Sequence, residues 1–143
     1  MKNDALKLFL KIQKIREERA QATFKKLNFE LKKSEQFNQQ VIDYVKEYGS
    51  QMMETAQQGV PVAFLQDSNA FRKRLELGVE EQKKQIVGMK NATDRSREQA
   101  VAQQLKVNSI EKVLKRKKAE QRQDQEKKEG KRLEDSLVSR LKK

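Results

Sequence analysis

The sequence predicts an all-α protein, an antiparallel two-helix coiled-coil hairpin, and three observations carry that reading. Thirteen positions in the first third of the chain step by alternating three and four, the heptad spacing of a coiled-coil seam. They are Leu6, Leu10, Gln13, Glu17, Ala20, Phe24, Leu27, Leu31, Ser34, Asn38, Val41, Val45 and Tyr48. Thirteen more positions run the other way, from Leu114 through Ile110, Val107, Gln103, Ala100, Ser96, Thr93, Met89, Ile86, Gln82, Val79 and Leu75 to Arg72. Each pairs with a member of the first set so that the two residue numbers sum to 120. The midpoint of that pairing, residue 60, falls inside Gly59-Val60-Pro61, the strongest turn signal in the chain. Two helices folded back there would zip face to face.

Composition agrees. Of 143 residues, 38% are charged and 35% apolar, with one Pro and five Gly, a balance suited to long exposed helices rather than to a globule. A two-helix hairpin is a single domain over 1–143 without the layers of a thick core, so one narrow seam and helix propensity must sustain it. The absence of Cys rules out a disulfide framework. No run of eighteen apolar residues is present, and Lys7, Lys11 and Lys14 interrupt the apolar stretch near the start. Both features favour a cytoplasmic protein over one that is exported or spans a membrane.

Helix one is expected over about 3–57, with Asn3 or Asp4 as its cap and a local bend at Gly49. A turn at about 58–61 follows, then a short helical turn to 67 with Pro61 in its first position. Ser68 or Asn69 offers a second cap, and helix two is expected over about 68–125. Its seam stops at Leu114, which faces Leu6, so the N-terminus has nothing to offer residues beyond about 118. Residues 115–143 carry 12 basic and 6 acidic side chains and supply half of the net charge of +12. They form a basic extension, either a lone helix or a frayed tail, that ends in an apolar stripe of Leu133, Leu137, Val138 and Leu141.

The seam is soft. Asn38 faces Gln82 and Glu17 faces Gln103, polar layers that fix register or mark a seam only partly buried. Apolar residues also lie off the seam, at Leu8, Phe9, Ile12, Ile15, Phe29, Phe37, Ile42 and Tyr44. Near the N-terminus, with Leu6, they surround helix one on more sides than a single partner helix covers, either widening the hairpin contact or forming a tip for a partner.

Catalysis is not expected. Without His or Cys the common metal sites and His- or Cys-based nucleophiles are excluded, and the five glycines are isolated rather than grouped into a phosphate-cradling loop. No cofactor is implied. The run Lys115-Arg116-Lys117-Lys118 suits phosphate backbones, but every aromatic residue lies between Phe9 and Phe71, away from it. Acids at Glu120, Asp124, Glu126 and Glu129 dilute the charge further, so nucleic-acid binding is a secondary reading.

Residues Val41-Ile42-Asp43-Tyr44-Val45-Lys46-Glu47-Tyr48, a Gly-containing turn, then Phe71-Arg72-Lys73-Arg74-Leu75 and Glu80-Glu81-Gln82 resemble the flagellar FliJ family. The resemblance implies a hairpin like the central stalk of rotary ATPases, working in flagellar type III protein export as a chaperone-like adaptor and ATPase regulator. It implies insertion into the hexameric export ATPase, FliI, and contact with the export gate protein, FlhA, with FliH and export chaperones as further partners. The protein would then be a monomer when alone, held peripherally at the flagellar base. Carried over by position, the gate contact falls on Val41, Tyr44, Tyr48, Phe71, Leu75, Gly78 and Gln82. Gly78 stands where a small Ala is expected and Gln82 where some members have His. The ATPase-ring tip would combine Leu6, Leu8, Phe9, Ile12 and Ile15 with Lys115, Arg116, Lys117 and Lys118. The runner-up within this shape is the equivalent stalk of a virulence type III secretion system. A basic coiled coil that binds nucleic acid or acidic partners is the reading from a different class.

Overall fold

The computed structural model describes residues 2–142, leaving Met1 and Lys143, the two ends of the expected domain and extension, outside the description. Helix α1 covers Lys2–Gln57 and helix α2 covers Val62–Leu141, and the described residues include no strand. The two helices pack against each other as an all-α hairpin, and the periodicity explains why. All twenty-six seam positions are buried or half-buried, and between residues 72 and 114 of α2 every other position is exposed. Among apolar side chains larger than Ala, burial is deepest at Val107, Val79, Leu31 and Ile86. Removing each such side chain from water contributes about 1.5–3 kcal/mol.

The reversal uses the one left-handed residue among those described. Gln58 and Gly59 donate their backbone N–H groups to the Thr55 and Ala56 carbonyls, tightening the last turn of α1. Gly59 then takes φ +82°, a conformation that a Cβ would strain. Pro61 sits one place earlier than expected, as the cap of α2: its carbonyl accepts from the N–H groups of Phe64 and Leu65. Because α2 begins there, Ser68 and Asn69 lie inside a continuous helix and cap nothing, and Ser68 is buried.

Three further expectations change. Helix α1 starts at Lys2, so Asn3 is within it, and its amide nitrogen donates to Gln121 Oε1 at 3.0 Å instead of capping. The N-terminus therefore still reaches a residue beyond 118. Helix α2 continues to Leu141 rather than ending near 125. Residues 115–141 are almost all good helix formers, and Arg116/Glu120, Arg122/Glu126 and Asp124/Lys128 lie at the i,i+4 spacing that supports a helix. Gly49 is half-buried within α1 beside the Arg72 side chain of α2, and a Cβ there would meet Arg72 Nη1 at 3.5 Å, an ordinary contact.

The chain divides into two compact units, one of residues 1–20 with 100–143 and the other of residues 21–99. In the first, Leu6, Leu10, Val107, Ile110 and Leu114 form apolar layers beside a buried amide pair. Gln13 is only 2% exposed, and Gln103 Nε2 donates to its side-chain oxygen at 2.8 Å and to its carbonyl at 3.1 Å. Gln103 is thus bonded one turn away from Glu17, the residue the numbering sets opposite it. In the second unit Phe24 is half-buried and Ser96 buried, and the Arg97 guanidinium lies 5.3 Å from the Phe24 ring centroid. Thr93 is buried with its hydroxyl donating to the Met89 carbonyl of its own helix. Asn38 is buried too, and its Oδ1 has no partner. Ion pairs Lys14–Glu111 and Lys90–Glu35 bridge the helices at exposed positions, where each is worth under about 1 kcal/mol.

Candidate functional site

Two surfaces stand out, one in each unit. In the unit of residues 21–99, Tyr44, Tyr48 and Phe71 form a chain of rings. Tyr48 is a seam residue and half-buried; Tyr44, four residues earlier on α1, lies off the seam and is 50% exposed. Their centroids are 6.1 Å apart, and Phe71 of α2 meets Tyr48 edge-on at 5.4 Å. Aromatic pairs at such spacing add about 0.5–1.5 kcal/mol beyond burial, so the rings hold one another in place while leaving exposed faces.

The other residues expected in this patch divide by burial. Val41, Leu75 and Gln82 are half-buried along the seam, whereas Gly78 is exposed and a Cβ there would meet nothing within 4 Å. The patch therefore presents Tyr44 and Phe71 outward, supported from below by Tyr48 and the seam. Sequence spacing could not place the Tyr48–Phe71 contact, because Phe71 is one residue off the seam. Beside it, Ile42, Val45 and Val79 floor an open groove whose rim carries Lys46, Lys83, Glu76 and Glu80.

In the unit of residues 1–20 and 100–143, the N-terminal apolar residues are uncovered. Leu8, Phe9, Ile12 and Ile15 are each more than 40% exposed, while Leu6 is half-buried in the seam. Lys115, Arg116, Lys117 and Lys118, which follow the last buried seam residue, Leu114, are all exposed. The compact unit thus contains both the collar and the basic run. Contact with a second body is the arrangement's natural chemistry: exposed apolar area beside a field of positive charge.

Among the described residues, no group of three His, Cys, Asp or Glu could hold a metal ion, and no helix is long and apolar enough to cross a membrane. The grooves found along the helices are open to solvent.

A family model described as the flagellar FliJ protein matches residues 1–141. Neither the curated proteins nor the solved structures yield a match.

Proposed function

The chain belongs to the flagellar FliJ family, a non-enzymatic component of flagellar type III protein export, and from that premise we propose that it acts as a stalk and adaptor. In this reading it works in the cytoplasm at the flagellar base. The collar end inserts into the ring of the export ATPase FliI, and the aromatic patch engages the export gate protein FlhA, with FliH and export chaperones as further partners. One observation carries the assignment of the tip: exposed Leu8, Phe9, Ile12 and Ile15 share a compact unit with exposed Lys115–Lys118. A ring lumen lined by carboxylates and apolar loops is complementary to that pairing. Charge steers the encounter and apolar area holds it.

A stalk that turns or slips inside a ring works through many weak contacts rather than one anchor. Deleting residues 115–143 should therefore abolish most stimulation of the ATPase, while single Lys→Ala changes in 115–118 reduce it only slightly. Added salt should weaken association. Steady-state ATP hydrolysis with purified ring and stalk reads all three. Full stimulation by the truncated chain would move the working surface away from this end.

A further inference from the structure

Helix α2 carries a second face within the unit of residues 1–20 and 100–143. At about 100° per residue, Val101, Leu105, Ala119, Leu133, Leu137 and Leu141 fall on one side of the helix, turned away from seam residues Val107, Ile110 and Leu114. The large members are all uncovered: Val101 is 49% exposed, Leu105 60%, Leu133 66%, Leu137 57% and Leu141 85%. Helix α1 cannot cover this face, because Asn3 reaches α2 at Gln121, which continues the seam on the other side.

Read in both directions the face matches at its two ends, while Leu133 falls opposite Ser109. Val101 with Leu141, Leu105 with Leu137, Lys112 with Gly130, Arg116 with Glu126 and Ala119 with Gln123 are pairs whose residue numbers sum to 242. We propose that a second copy of the chain docks here, the two α2 helices lying antiparallel over residues 101–141, a length of about 60 Å. Such a contact is isologous and closes on itself as a two-fold dimer.

Charge selects this direction. A parallel pair would stack Lys112, Lys115 and Glu126 each on its own copy, setting like charges face to face. The antiparallel pair instead brings Arg116 to Glu126 and lays Lys112–Lys118 over the stretch that holds Asp124, Glu126 and Glu129. Lys115 meets Lys127 by the same numbering, which with Lys128 dilutes that attraction, and the apolar pairs are confined to the two ends of the overlap. The dimer is accordingly weak and reversible. It covers Arg116, which the proposed ATPase contact also uses, so the two associations exclude each other. The inference does not rest on the export reading, and its test involves no ATPase.

The chain has no cysteine, so introduced thiols report alone. Two full-length variants are made, Leu105→Cys and Leu137→Cys, both at exposed positions that leave the seam intact. Mixed and oxidised, they should give a disulfide-linked heterodimer, while each alone gives far less linked product. Sedimentation equilibrium of the natural chain should show mass rising toward that of a dimer with concentration, and Leu137→Asp should remain a monomer of unchanged helical content. Equal linking of either variant alone would overturn the antiparallel contact. So would a mass that stays monomeric at every concentration. Monomers that bind vesicles of anionic phospholipid through Leu137 would overturn it in favour of a lipid surface.

Discussion

Two stretches of α2 contrast sharply: between residues 72 and 114 one position in each turn is withdrawn from water, and between 115 and 142 none is. Both are helical. The first is held by packing against α1, the second by the propensity of Lys, Arg, Glu, Gln and Leu and by charge spacing along its own surface. Helices held only by propensity are marginal in water, so the second stretch takes its stability from the helix it prolongs. Nothing in its composition builds a core. Exposed charge and an exposed leucine stripe suit a segment that other molecules complete.

The largest test of that contrast truncates a leucine of α1 in the seam that the first stretch shares, and a leucine of the second stretch. Leu31→Ala opens the seam opposite Met89 and should cost about 2–5 kcal/mol. Leu133→Ala removes a 66% exposed side chain and should change stability by less than about 0.5 kcal/mol. Urea unfolding followed by circular dichroism measures both. Comparable losses would mean that the second stretch packs against something within the chain, and the contrast would disappear.

A second test separates polar from apolar support within the seam. Gln103→Leu leaves the buried Gln13 amide without its donor and should cost about 1–3 kcal/mol. Replacing both, Gln13→Leu with Gln103→Leu, should recover most of that loss, because two apolar side chains leave no orphaned group. If the double variant instead populates more than one register or associates, the pair contributes specificity rather than stability. Analytical ultracentrifugation distinguishes the two results.

The seam was legible in the sequence because burial in a two-helix contact depends almost wholly on the three-four spacing. Every position in both heptad sets is withdrawn from solvent. The ends of the elements were harder to read, and for physical reasons. Asn3, Ser68 and Asn69 are good caps in isolation, yet upstream residues already satisfied the helical geometry, and a longer helix leaves fewer orphaned groups. The stop expected near 125 failed because the loss of a partner face does not end a helix whose residues favour one. Contacts diagonal to the register, such as Gln103 with Gln13 and Phe71 with Tyr48, depend on side-chain reach that residue numbers do not encode. The register itself is testable with introduced cysteines. A Leu31/Met89 pair should cross-link within one chain and a Leu31/Val79 pair should not, since a disulfide needs Cα atoms within about 7 Å. Linking of the first pair only between chains would replace the hairpin with an extended dimer.

The smallest expected effect on stability is also the sharpest on function. Tyr44 is half exposed and touches Tyr48 across 6.1 Å, so Tyr44→Ala removes little buried area and should shift the melting temperature hardly at all. Leu75→Ala, by contrast, cuts into the half-buried seam and should lower it clearly. If the ring chain of Tyr44, Tyr48 and Phe71 is where the export gate docks, Tyr44→Ala should weaken that binding tenfold or more, about 1.4 kcal/mol. Helical content should be unchanged. Calorimetric titration of the gate's cytoplasmic domain against both variants provides the measurement. Equal melting losses for the two would place Tyr44 in the core. Unaltered binding by a stable Tyr44→Ala chain would instead leave the rings as a structural clasp near the turn and move the gate contact elsewhere.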